Sequence, residues 1–319
     1  HTIALDLNNQ ISPRWRYKIE LARTETQEPQ SDWITSGEKF SSYTPELDGE
    51  RFSGYSLFSG IYRQSTNWKT RADIMLLSPT FRPEMGFEPR NNRRRIEIGQ
   101  QYRGFPNKKY IKNYSIYAET SLYTNYENVI KEKSTFTYTR MQLSGNINVS
   151  FNAKFIEKEN YLNIDYENLF NGRLNISWSP NQAFSLGAGI GGGRQIAYNE
   201  TNPRIGISRR RGVDLDLQAK GKFQWSLDLD YEEMNELYDP AINIYKGFLF
   251  QSVFKYTLTR ALDFKLVSQL NNFDSGEINI LMQPLIQYRP SAFSLFYLGG
   301  MFQSGQFQGY LKWQKQIGN

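Results

Sequence analysis

Apolar and polar residues alternate one by one along most of this chain. In "RWRYKIELAR", Trp15, Tyr17, Ile19 and Leu21 fall on one side, and Arg14, Arg16, Lys18 and Glu20 on the other. In "GVDLDLQAKGKFQWSLDLDY", Val213, Leu215 and Leu217 oppose Asp214, Asp216 and Gln218; after the turn, Phe223, Trp225, Leu227, Leu229 and Tyr231 oppose Gln224, Ser226, Asp228 and Asp230. Successive side chains of a strand point to opposite faces, so the pattern predicts strand, and helical spacing is hard to find anywhere. About 17 segments carry it, mostly 10–16 residues long. Soluble strands usually run about 5–6 residues, whereas a tilted strand crossing a bilayer needs about 9–11. The expected fold class is therefore all-β: an antiparallel transmembrane β-barrel of about 16–18 long strands, with residues 1–319 as a single domain.

The links between segments alternate in length. Short turns fall near 12–13, 65–67, 106–109, 145–146, 179–181, 220–221, 259–260 and 289–291. Longer links fall between them, near 24–49, 79–92, 126–133, 158–166, 197–205, 232–243, 272–276 and 302–306. Short periplasmic turns and longer external loops are the habit of outer-membrane barrels. An odd strand count ending near Ile317 on the periplasmic side puts His1 on the outer side. The parity thus predicts that at least one strand precedes His1, and that this chain is the C-terminal part of a longer barrel.

Composition narrows the chemistry. There is no cysteine, and the one histidine is His1. Disulfides, thiolate or imidazole metal sites, and triads built on histidine are excluded. Aromatics make up 15% of the chain while mean hydropathy is −0.62, and no run of about 18 apolar residues marks a membrane helix. Alternation is how a barrel hides apolar residues in a polar average. No catalytic residue, metal ligand set or cofactor is assigned.

Four features invite a sharper reading. "GAGIGGGR" has Gly187, Gly189 and Gly192 at dinucleotide-loop spacing, but strand, loop and strand follow instead of a helix. These glycines read as barrel-strand positions beside large neighbours. Asp214, Asp216, Asp228 and Asp230 share one face of one hairpin, where a cation site competes with a simpler water-facing polar wall. The third feature, "SPTFRPEMGFEPRNNRRR", holds Pro79, Pro83 and Pro89, which donate no ladder hydrogen bonds. It reads as a structured external loop over the barrel mouth, with Phe81, Glu84, Gly86, Phe87, Arg90, Arg93 and Arg95 as mouth and lumen residues. Ile96 and Ile98 then point outward, and Arg93, Arg95 and Glu97 inward. Finally, Trp15, Tyr17, Trp178, Phe223, Trp225 and Trp313 lie on apolar strand faces, several near short turns, as a lipid-facing aromatic girdle should.

The segment 54–95 also resembles a bacterial outer-membrane barrel family of uncharacterised function, whose members join an N-terminal carbohydrate-binding family 9-like module to a large C-terminal barrel. The likeness rests on the Gly54-Tyr55 strand opening, Trp68, Ser78-Pro79, Phe81, Gly86-Phe87, Arg90 and the arginines beyond. Glu84-Met85 departs from the family's usual pair, and the final strand lacks its terminal aromatic. The resemblance implies location and architecture and supplies no reaction; the sugar-binding-like module suggests glycan handling.

The leading functional expectation is an integral outer-membrane protein that transports solutes or glycans, or acts as a scaffold within an envelope complex. A barrel-embedded hydrolase using lumenal carboxylates and a soluble secreted β-sandwich or adhesin are the alternatives. The expected partners are outer-membrane lipid and lipopolysaccharide, with other envelope proteins and glycans as further candidates. Basic residues are spread along the segments and form no nucleic-acid patch.

Overall fold

A computed structural model describes residues 1–31, 42–44, 46–82, 91–219, 221–273, 277–291, 293–303 and 305–315. The first strands are β1 (Thr2–Ser12), β2 (Trp15–Gln27), the two-residue β3 (Gln30–Ser31) and β4 (Leu47–Asp48), β5 (Arg51–Gln64), β6 (Trp68–Leu77), β7 (Arg93–Gly104) and β8 (Ile111–Thr124). Next come β9 (Ile130–Leu143), β10 (Ile147–Tyr161), β11 (Ile164–Asn181), β12 (Phe184–Ile196) and β13 (Ile205–Ala219). The chain ends with β14 (Phe223–Glu236), β15 (Asn243–Thr259), β16 (Leu262–Asn271), β17 (Asn279–Ser291), β18 (Ser294–Gln303) and β19 (Gln306–Lys315). All but β3 and β4 belong to one 17-stranded sheet. The pairings are antiparallel between chain neighbours: β1 with β2, β2 with β5, then β5 through β8 in order, and β11 through β19 in order. The chain is a transmembrane β-barrel, and among the described residues there is no helix.

Two compact units can be told apart, one from 1–105, 114–139 and 153–169, the other from 106–113, 140–152 and 170–319. In the first, alternation reads directly as exposure. Ile96 and Ile98 are 46% and 59% exposed while Glu97 between them is 8%. Water would penalise such rows of bare aliphatics, so lipid must cover them. The inner side of this unit buries Phe52, Leu77 and Phe81 near the loop end. β1 pairs with β2 and is exposed along almost its whole length.

In the second unit β13 and β14 pair without a break from Gly206↔Glu236 to Ala219↔Phe223. Leu229 and Ile190 lie exposed on the outer face, and Met234, Ile196 and Ala197 are buried near the loop end. Gly187 stands where a Cβ would strike the Asp214 carboxylate, and Gly189 where it would strike Asn175. The glycine run is thus a strand face that leaves room for its neighbours, and no phosphate loop forms. β19 pairs with β18 and is exposed throughout.

The alternation of link lengths fails in places. The link expected over 158–166 is a two-residue turn of Leu162 and Asn163, at φ of 50° and 61°. Pairing continues to its tip because Lys158 meets Asp165 at 2.6 Å and Asn160 Nδ2 donates to Asp165 Oδ1 at 2.7 Å. The link expected over 302–306 shrinks likewise, since Gln303 already pairs with Gln306. On the opposite side, the link between β7 and β8 is longer than a tight turn.

Ile98→Arg, on the outer face, should destabilise the folded barrel in lipid vesicles by about 2–4 kcal/mol if it sits near the midplane. Gln101→Arg, on the inner face of the same strand, should change it by less than about 1 kcal/mol. Urea unfolding in vesicles measures both, and equal losses would contradict the face assignment.

Candidate functional site

The inner face of the first unit carries an ion network built by register. Asp73 lies opposite Glu97 and Arg71 opposite Gly99, which in turn faces Glu119. The Arg71 guanidinium therefore reaches three carboxylates: Glu97 in a short contact, Asp73 at 3.2 Å and Glu119 at 3.3 Å. Arg95 adds a second cation, 3.3 Å from Glu97 and 4.0 Å from Asp73. The Tyr117 hydroxyl donates to Glu119. Asp73 and Glu97 side chains are only 3% and 10% exposed, so their charges depend on these partners. Two arginines against three acids leave the cluster acidic.

The loop end above it is clamped. Ser78 closes a pair with Tyr55, its N–H donating to Tyr55 O at 3.0 Å and its Oγ accepting from Tyr55 N–H at 2.9 Å. Thr80 Oγ1 donates to Ser53 O at 2.6 Å. The chain then crosses the inner face of β5 at Gly54, where a Cβ would sit 2.3 Å from the Phe81 backbone. Only glycine permits this approach, which is why Phe81 can be buried. Arg82 N–H reaches Thr24 Oγ1 at 3.3 Å, and its guanidinium pairs with Glu28. At the start of β7, Arg94 stacks 4.6 Å from the Tyr126 ring centroid and donates to Tyr126 O at 2.7 Å and Asn128 Oδ1 at 3.1 Å. Burial pushes the Tyr126 hydroxyl well above the ordinary phenol range, so it stays neutral.

The second unit holds a cavity of about 840 Å³ at its loop end. Arg210, Glu232 and Tyr245 line one wall: Arg210 Nε lies 2.8 Å from Glu232, and the Tyr245 hydroxyl donates to Glu232 at 2.5 Å. Gln195, Lys246 and Asn272 add polar groups, and Met234 and Phe273 apolar ones. The volume and the mix of a few convergent polar groups among apolar ones suit a small-molecule site. Deeper on the same inner face, the four aspartates are spread along the hairpin and exposed. Asp214 lies directly opposite Asp228, Arg173 Nη2 lies 3.6 Å from Asp230, and Ser226 Oγ donates to Asp216 at 2.5 Å.

Of the mouth residues expected from sequence, Phe81 is buried at 6% exposure. Arg93 stacks 5.1 Å from the Tyr123 ring, and Arg95 joins the ion network. Glu84, Gly86, Phe87 and Arg90 lie outside the described residues. Of the aromatic row, Trp15, Trp178 and Trp313 are exposed at 37%, 44% and 60%. Tyr17 is half-buried with its hydroxyl 3.2 Å from Ser59 Oγ. Phe223 packs edge-on to Phe254 at 5.5 Å, and Trp225 Nε1 donates to Ser252 Oγ at 3.0 Å. The Arg71 cluster and the Arg210–Glu232–Tyr245 wall were not singled out by the sequence reading. The available signal was opposite charge on neighbouring strands, as in "RRR" at 209–211 against "EE" at 232–233.

No protein-family model and no curated protein matches the chain by sequence. Solved structures do match its fold. FpvA of Pseudomonas aeruginosa, in an iron complex with a heterologous pyoverdine, superposes over 98% of this chain and 57% of its own, at a TM-score of 0.50 and 10% identity. The ferric enterobactin receptor of Pseudomonas aeruginosa, in complex with enterobactin, matches 94% of this chain and 57% of its own, at 0.53 and 9%. The siderophore receptor PirA of Pseudomonas aeruginosa matches 98% and 61%, at 0.51 and 10%. The chain thus spans less than two thirds of the length of each of these receptors, and shares their outer-membrane barrel fold.

Removing Arg71 tests the ion network. Arg71→Met should destabilise the barrel by about 3 kcal/mol, because it strands buried carboxylates. Combining it with Asp73→Asn should recover part of that loss. Urea unfolding in vesicles is the measurement, and strict additivity would refute the coupling.

Proposed function

We propose that this outer-membrane barrel is a receptor and transport protein for a small, oxygen-rich polar solute, a glycan fragment being the leading candidate, and that the cavity in the second unit is where the solute docks. The cavity carries the reading. It lies at the end of the strands where the longer links gather, the side that faces outward in barrels of this kind. Its lining offers two cations, two carboxylates, two phenols and four amide side chains, which suit hydroxyl and carbonyl groups better than a purely apolar cargo. Tyr198 and Tyr245 supply flat surfaces of the sort on which sugar rings rest. The resemblance of 54–95 to a family that carries a sugar-binding-like module supports the glycan choice. That two receptors of the same fold were solved in complex with a pyoverdine and with enterobactin supports docking of a small solute.

The same reading assigns Trp15, Tyr17, Trp178, Phe223, Trp225 and Trp313 to the membrane interfaces, where amphipathic rings settle. Lipid and lipopolysaccharide are then the constant partners of the outer face.

The test is uptake by proteoliposomes of a graded series of neutral oligosaccharides. Flux should saturate with concentration, and Arg210→Gln or Tyr245→Phe should weaken apparent affinity roughly three- to tenfold, the worth of one or two hydrogen bonds. Non-saturating flux, or flux equal in wild type and both variants, would discard the docking cavity.

A further inference from the structure

We propose that Glu28, Asp48 and Glu50 form a calcium site that fastens the root of the 28–50 loop. The three carboxylates come from different places: Glu28 follows β2, Asp48 lies in β4, and Glu50 precedes β5. Each offers an oxygen, and these oxygens all lie within 4.8 Å of one another. Calcium–oxygen distances are about 2.3–2.6 Å, so oxygens within this limit of one another can ligate one ion. Magnesium demands a stricter octahedron and keeps several waters, so an all-carboxylate loop site favours calcium. No histidine or cysteine takes part, as a hard cation requires.

An independent observation concerns Glu28 itself. Its side chain is 1% exposed. One oxygen pairs with Arg82, while Oε2 is buried and has no hydrogen-bond partner among the described residues. A buried carboxylate oxygen without a partner costs free energy unless something cationic meets it. Arg82 offsets one of three negative charges, leaving two, which matches a divalent ion. The backbone is already arranged for the task. Glu28 N–H donates to Glu50 O at 3.0 Å, Thr44 N–H to Glu50 Oε2 at 2.9 Å, and Glu50 N–H to Asp48 Oδ1 at 3.2 Å. Between the two acids Gly49 turns at φ 88°, a conformation that brings both carboxylates to one side and that L side chains resist.

The protein in detergent micelles, free of lipopolysaccharide, provides the test. Calorimetric titration with calcium should give one site with Kd on the order of 10⁻⁴–10⁻³ M, the range of extracellular calcium modules. Terbium should bind there too, its luminescence sensitised by Tyr43, the chain neighbour of Thr44, whose N–H donates to Glu50. Asp48→Asn with Glu50→Gln, both on accessible side chains, should weaken calcium binding at least about tenfold and abolish the calcium-dependent rise in unfolding temperature. Glu28→Gln should do the same, and the first pair keeps the test valid if that variant fails to fold. Absence of calcium binding in the wild type, or unchanged binding in the Asp48→Asn, Glu50→Gln variant, would overturn the site. Uptake through the second-unit cavity is read separately, so either idea can fail alone.

Discussion

Inside a bilayer no water is available to satisfy a backbone N–H or C=O, so each must find its partner within the protein. That requirement governs this molecule. Long strands pair with chain neighbours over long registers, with a few shifts near their ends, and such a ladder leaves the backbone little further to do. Side chains are then sorted by face alone. Ile96, Ile98, Ile190 and Leu229 are free to be bare because lipid is their solvent. Asp73, Glu97 and Glu119 are free to be inside because Arg71 reaches all three along and across the same face, and Arg95 pairs with Glu97 on its own strand.

The two units use the inner face differently. In the first, charge is consumed internally: Arg71 and Arg95 are committed to acids, and the chain 78–82 folds across the same side. Such an arrangement rigidifies and specifies the local pairing. In the second, the acids of the β13–β14 hairpin are exposed, and the polar groups at its upper end converge on an open cavity. One surface is organised to be filled by the protein and the other to meet something from outside.

The strand architecture was legible in the sequence because period-2 alternation is a direct image of two solvents, one on each face. Residues such as Val213, Leu215 and Leu217 announce their face without any tertiary information. Link lengths were less legible. Leu162 is an unlikely residue for a tight turn at positive φ, since two-residue hairpins favour asparagine and glycine, so the β10–β11 hairpin was expected to open earlier than it does. The sites were the least legible. Arg71 meets Glu119 through register across three strands, and Glu28 meets Asp48 and Glu50 through loop closure. Neither relation leaves a spacing in the sequence, because contact between distant segments is set by pairing.

The fold-back at Gly54 also has a bearing on the order of assembly. Most contacts in the sheet join strands adjacent in the chain and are available as soon as each hairpin forms. The hydrogen bond from Arg82 to Thr24 spans 58 residues and needs β2, β5 and β6 already in place. A barrel that grows hairpin by hairpin acquires this latch only after those three strands have paired. The latch is also distinct from the ladder: Arg82 reaches Thr24 through its side-chain hydroxyl and Thr80 bonds Ser53 through its own, so these bonds take nothing from the register that joins β2 to β5.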